Sequence, residues 1–189
     1  MYVNNTYRQQ EVYLSMANRV TVLPFWDINL SVDYQWNKLN ANLTDFPYPR
    51  RNTTLVAAAT SLHFDRFKFQ ASVLGTFVHE NVASDTTSAG NKMEFTPTAI
   101  ASYKPFKNID FNLRAFYKRI FRMPTLNDLY YTFIGNIKLK PEYTNQYNIG
   151  FTYQKLFTGT WLQALNVQLD AYYNEVENKI IATPTNNFF

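Results

Sequence analysis

The sequence predicts an all-β chain, about eight antiparallel strands of a transmembrane β-barrel. Three observations carry the prediction. Apolar and polar residues alternate with period two over long stretches, aromatic side chains are abundant although mean hydropathy stays polar, and short turns alternate with long polar loops.

The cleanest alternation spans residues 26–36. Trp26, Ile28, Leu30, Val32, Tyr34 and Trp36 alternate there with Asp27, Asn29, Ser31, Asp33 and Gln35. Successive side chains on a strand point to opposite faces, so the pattern sets one face in an apolar medium and the other in water. Residues 143–153 repeat it, with Tyr143, Tyr147, Ile149, Phe151 and Tyr153 against Thr144, Gln146, Asn148 and Thr152. Residues 166–173 do so again, with Val167, Leu169, Ala171 and Tyr173 on one side. Five more segments carry the pattern less cleanly, near residues 10–22, 53–64, 67–79, 93–103 and 109–119. In 53–64 the run Ala57-Ala58-Ala59 leaves the apolar face undecided. Strands of this kind suit the ~9–11 residues that a tilted membrane strand needs.

Composition agrees. Aromatic residues form 17% of the 189-residue chain, yet mean hydropathy is −0.32. A wide barrel explains both, being apolar only outside and girdled by aromatics at the two interfaces. Cysteine is absent, which excludes a disulfide scaffold, a Cys-ligated metal and a cysteine nucleophile. The net charge of +4 is spread over scattered Lys and Arg, with no run that would make a nucleic-acid footprint. The first residues, Met1-Tyr2-Val3-Asn4-Asn5-Thr6, have neither the basic start nor the apolar core of a secretory signal.

Short turns are expected at 23–25, 65–66, 104–108 and 157–160, and long polar loops at 38–52, 80–92 and 120–142. Outer-membrane barrels sort their connections this way, short turns periplasmic and long loops outside. The first strand then starts, and the eighth ends, on the long-loop side. A whole barrel of even strand number has both ends on the periplasmic side, so the expectation is an internal segment with open edges. The final Asn187-Phe188-Phe189 imitates a barrel terminus, but Asn187, Thr185 and Thr183 stand at the positions alternating back from the last Phe, with Pro184 among them. Proline cannot donate to a ladder, so that ending is read as accidental.

Residues 121–150 hold three motif pieces in order. They are Phe121-Arg122-Met123-Pro124-Thr125-Leu126-Asn127-Asp128-Leu129-Tyr130, then Gly135-Asn136-Ile137-Lys138-Leu139-Lys140-Pro141-Glu142, then a strand bearing Gly150. This stretch resembles the barrel signature of TonB-dependent outer-membrane receptors, departing from it at Met123 and Ile137. Its residues also make local sense. Pro124 ends a strand and pre-sets φ. Thr125 and Asp128 have the spacing of a helix N-cap and predict a short helical turn through Leu129 to Tyr131. Pro141 opens the next strand where its missing N–H matters least. Gly135 and Asn136 suit a turn with positive φ. These positions read as loop architecture.

The resemblance implies a bacterial outer-membrane location and a 22-stranded barrel plugged by an N-terminal domain. It also implies import of an iron–siderophore complex, a cobalamin or a glycan, driven by TonB through a plug that this chain lacks. Ligand-contact candidates are the loop side chains Tyr48, Arg50, Arg51, Phe121, Arg122, Tyr130 and Tyr131, joined by Phe46 and Phe133 in the same loops. Stacking and cation–π contacts are the chemistry they offer. No cofactor, metal or enzyme activity is expected. His63 and His79 lack a third ligand, and Asp27, Asp33 and Asp170 read as lining water. The rival reading is a small complete eight-stranded outer-membrane barrel with a structural or adhesion role.

Overall fold

The computed structural model describes residues 5–83, 88–131, 135–159 and 161–181. Phe133 and the terminal Asn187-Phe188-Phe189 lie outside the described residues. The chain forms one antiparallel sheet in sequence order. Its strands are β1 (Tyr7–Leu23), β2 (Trp26–Ala41), β3 (Arg50–His63), β4 (Phe67–Asn81), β5 (Lys92–Tyr103), β6 (Asp110–Arg122), β7 (Glu142–Leu156) and β8 (Ala164–Glu177), with one short helix, α1 (Leu126–Tyr130). β1 and β8 hold the two edges of the sheet, so it is an open wall.

The expected sorting of connections is present. Residues 24–25, 64–66, 104–109 and 157–163 join strands at one end, and the longer 42–49, 82–91 and 123–141 join them at the other. Most strands run beyond the expected limits at the long-loop end. β2 continues to Ala41 and β3 begins at Arg50, which shortens the expected 38–52 loop to eight residues, 42–49. Many of the extra rungs carry polar side chains, among them Arg8, Asn37, Lys38, Arg50, Arg51 and Glu80, while Tyr7 and Leu39 turn into a local core.

Register defines two faces. On the apolar face Val12 pairs with Trp36, Leu14 with Tyr34, Met16 with Val32 and Val20 with Ile28. The same row continues from Val32 to Val56 and from Leu30 to Ala58. That settles the alanine run: Ala58 lies on the apolar face, and Ala57 and Ala59 on the polar one. The row passes on through Val73 to Pro97 and through Tyr117, Tyr147 and Tyr173. Most of these side chains are exposed, Leu14 by 63%, as is Ile149 on the same face by 63%, as befits a wall whose apolar neighbour is not protein.

The polar face is laced by side-chain pairs across strands. Arg19 donates to Asp27 at 2.5 Å, and Thr21 donates to the same carboxylate at 2.7 Å. Ser15 donates to Asp33, and Gln35 to Glu11 at 2.5 Å. Arg114 reaches Asp170 with two nitrogens, at 2.6 Å from Oδ2 and 3.1 Å from Oδ1. Gly150 stands between them in the row Arg114, Gly150, Asp170. A Cβ on Gly150 would collide with the Asp170 carboxylate and lie 2.6 Å from the Leu169 carbonyl oxygen. The motif glycine is therefore the gap through which one strand's arginine reaches the next strand but one.

The ladders are unequal. β5 and β6 share six residue pairs, Thr98–Tyr103 with Leu113–Lys118, while every other ladder holds at least twelve. The short ladder stops one residue before Pro97, which has no N–H to give. Beyond it the two strands part, and the Tyr143 hydroxyl donates to Glu94 Oε1 at 2.5 Å across the gap.

Candidate functional site at the long-loop end

At the long-loop end the polar face carries a small packed core. Leu39, Phe46, Leu126, Leu129 and Tyr130 are buried against one another, with Tyr7, Ala41, Leu43, Val82, Ala89 and Leu139 partly buried around them. They come from β1, β2 and all three long loops. Burying each large apolar side chain is worth about 1.5–3 kcal/mol, so the loops are held down rather than trailing in solvent.

α1 is what brings the third loop into this core. Thr125 accepts at its side chain from the Asp128 N–H at 3.1 Å, and the Asp128 carboxylate accepts from the Thr125 N–H at 2.8 Å. This is the reciprocal capping box that the spacing predicted. Leu126, Leu129 and Tyr130 then fall on the buried side of one helical turn. Pro124 and Pro141 are buried on either side of the loop, and Leu139 packs at its return. Lys140 is exposed beside Pro141, and Glu142 opens β7 facing Arg122 across the ladder.

Gly135 and Asn136 need correction. Positive φ occurs at Asp45, Tyr48, Asn178, Gly90 and Gly159, not at Gly135 or Asn136. Glycine is required at 135 for space: a Cβ would lie 2.6 Å from both the nitrogen and the oxygen of Tyr131. The Gly135 N–H donates to the Tyr131 carbonyl at 2.7 Å, and the Asn136 N–H to the Asp128 carbonyl at 2.8 Å, which folds the loop back on α1.

A buried polar knot fastens this loop to the wall. Arg51 donates to Glu80 Oε2 at 2.8 and 2.6 Å and to the Pro124 carbonyl at 2.6 Å. The other Glu80 oxygen accepts from the Tyr130 hydroxyl and from the Ala89 N–H at 3.3 Å. The Ala89 N–H also reaches the Tyr130 hydroxyl oxygen at 3.0 Å. The side chains of Arg51 and Glu80 are almost wholly shielded, at 8% and 0% exposure. Burial, then the Glu80 carboxylate, push the Tyr130 hydroxyl well above the usual tyrosine range, so it remains a donor. One ion pair thus joins β3, β4, the 82–91 loop and the loop that carries α1.

The seven ligand-contact candidates are sorted by this geometry. Arg51 and Tyr130 are inside the knot. Arg50 is exposed on the opposite, apolar face, and Phe121 shares that face with Tyr143, its ring 5.5 Å away. Arg122 is on the polar side, 3.9 Å from Glu142 and half exposed. Tyr131 and Tyr48 end a row of rings at the rim. Tyr131 stacks on Tyr7 at 4.3 Å, Tyr7 meets Phe46 edge-on at 6.0 Å, and Phe46 meets Tyr48 edge-on at 5.3 Å. Tyr7 and Glu80 had no mark in the sequence, since each sits in an ordinary strand pattern. His63 and His79 face the opposite ends of the β3–β4 ladder; His63 stands 3.9 Å from Asp27 and His79 beside Asn81.

An open antiparallel wall, polar on one face and apolar on the other, with its long loops folded into one end, defines a piece of a large β-barrel. The family model for the TonB-dependent receptor-like β-barrel matches residues 2–189, and the chain belongs to that family. It is 26% identical over 175 residues to the vitamin B12 transporter BtuB of Vibrio vulnificus strain YJ016, an alignment covering 91% of this chain and 25% of that protein. Among solved structures it is similar to the Serratia marcescens hemophore receptor HasR in complex with its hemophore HasA and heme. That match has a TM-score of 0.65 and 13% identity, over 93% of this chain and 34% of HasR. The copper transporter OprC matches with a TM-score of 0.57 and 16% identity, over 90% and 30% of the two chains. The chain thus spans about a quarter of the length of its curated relative.

Proposed function

We propose that this chain is a wall segment of an outer-membrane receptor that imports a scarce ligand with energy from TonB, the plug domain lying in another part of the protein. The observation that carries the reading is the knotted long-loop end. A family barrel wall has its loops fixed inward by Arg51, Glu80 and Tyr130, and a row of rings backed by buried Phe46 and by Tyr7 ends in Tyr48 and Tyr131 at the mouth.

Dimensions support the membrane part. Trp26 and Trp36 bracket the apolar face of β2, ten residues apart. At about 3.3 Å per residue and a tilt of about 45° they stand roughly 23 Å apart along the barrel axis, close to the ~25 Å apolar band of such barrels. The apolar face then meets lipid, the polar face meets the lumen and plug, and the long loops lie outside the cell.

The ligand belongs to the classes iron–siderophore, cobalamin or glycan, and its contacts are Tyr48, Tyr131 and Arg122. Rim aromatics that anchor a ligand carry more than ~1 kcal/mol each. Tyr131→Ala in the intact receptor should therefore weaken binding of the transported ligand by roughly ten-fold or more. The test is uptake of each labelled ligand class by cells whose only such receptor is the wild type or the variant. Uptake of one class that falls with Tyr131→Ala supports the reading, and unchanged uptake of all three overturns the site. Cells making residues 1–189 alone should take up none, and uptake by them would overturn the segment reading.

A further inference from the structure

Alternation at the long-loop end fixes the direction of three cations. Tyr7, Leu39 and Arg51 all pack into the buried core on the polar face. Their strand neighbours Arg8, Lys38 and Arg50 therefore stand on the apolar face beyond the aromatic pair Tyr34 and Trp36, Lys38 and Arg50 by one step and Arg8 by two. Register brings them together: Lys38 is directly opposite Arg50 on β3 and Gln10 on β1, and Arg8 lies diagonally beside it, opposite Asn40.

Two like charges facing each other across a ladder repel, and such pairs are unfavourable without a counter-charge. None is at hand. Arg8, Lys38 and Arg50 take part in no ion pair or side-chain hydrogen bond among the described residues. The apolar face of β1 to β5 holds no Asp or Glu at all. The same end of β8 has the reverse sign, with Glu175 and Glu177 on that face. The cations also sit at the right height, Lys38 and Arg50 about 7 Å and Arg8 about 13 Å along the strand above Trp36, where an aromatic girdle gives way to headgroups.

We propose that Arg8, Lys38 and Arg50 form a binding site for the phosphate groups of an outer-leaflet lipid. Lys38 and Arg50 clamp a phosphate between them, Arg8 takes a neighbouring one, and Trp36 and Tyr34 lie along the lipid's upper chain. The repulsion built into the empty site becomes affinity once an anion separates the two cations. The proposal rests on the membrane orientation given above.

The experiment uses the intact receptor, extracted from membranes and assayed for retained lipid by native mass spectrometry. The probes are a bis-phosphorylated glycolipid, zwitterionic phosphatidylethanolamine and inorganic pyrophosphate. The glycolipid should bind in preference to phosphatidylethanolamine. The double variant Lys38→Gln with Arg50→Gln should bind it roughly thirty-fold more weakly, as two surface cations are lost. Arg50→Glu gives a second, independent readout. It should lose the glycolipid yet raise the unfolding temperature in lipid-free detergent, because Lys38 gains an opposite charge. Glu175→Gln should retain the lipid. Equal retention by wild type and both Arg50 variants overturns the proposal, as does pyrophosphate binding that displaces no lipid. A wild-type receptor recovered in the soluble fraction overturns the membrane reading and this site with it, whereas a membrane-embedded receptor with no glycolipid preference overturns the site alone.

Discussion

Leu39, Leu126, Leu129 and Tyr130 bury one another at the long-loop end, whereas Val12, Leu14, Met16, Leu30 and Val32 stand exposed along the body of the same sheet. The loops are the part of this chain that packs like a soluble protein. The strands are held by backbone ladders and a few ion pairs, and their apolar face needs a medium that the chain does not supply. Loops usually carry mobility, but here the longest of them is fastened by a helix cap, an ion pair and a buried leucine. The comparison teaches that the described residues of the mouth supply their own packing, on a wall whose stability comes from its surroundings.

Four substitutions would break or sharpen that comparison. The largest effect should follow Glu80→Gln, which leaves Arg51 buried without its charge partner. Loss of one member of a buried pair costs about 3–5 kcal/mol. Hydrogen exchange should then rise in the 82–91 and 123–141 loops and stay unchanged in β7 and β8, and equal rises throughout would mean that mouth and wall are one cooperative unit. Leu129→Ala comes next, since its side chain is 1% exposed. A loss of about 2–5 kcal/mol is expected from the cavity, read as a lower urea midpoint for a probe in the loop.

Gly150→Ala tests the wall instead of the mouth. Its new methyl group must displace the Asp170 carboxylate or the Leu169 carbonyl, and such overpacking costs about 1–3 kcal/mol. Exchange should increase along β6, β7 and β8 and not in the loops. The smallest effect, about 1 kcal/mol, is expected for Thr125→Ala, which removes the helix cap. Restoration by Thr125→Ser but not by Thr125→Val would attribute that loss to the hydroxyl.

The strands were legible because their signal is local. Trp26 to Trp36 alternate strictly and Tyr143 to Tyr153 break step only at Asn145, and a period of two needs no partner to be recognised. Alanine carries little preference for either face, so the run at 57–59 became clear only when Val56 and Ala58 paired with Val32 and Leu30. The helix cap was legible for the same reason, since Thr125 and Asp128 are three residues apart. Arg51, Glu80 and Tyr130 were not, because 29 and 50 residues separate the members of the two contacts. Arg50 and Arg51 look alike in sequence, yet alternation sends one to each face. Gly150 stood out as a motif residue, but its reason lay in Arg114 and Asp170 on the two flanking strands.

The short β5–β6 ladder has a mechanical meaning. A sheet under sideways load yields where the fewest rungs share the strain, and here that is the six-pair junction capped by Pro97. The wall therefore behaves as two plates, β1 to β5 and β6 to β8, joined by a partial seam. The loop that carries α1 runs from β6 to β7, so Arg51, Glu80 and Tyr130 tie the second plate to β3 and β4 at the mouth, and the seam can give only below that tie. Tyr143 and Glu94, which bridge the gap above the seam, share the strain with that tie.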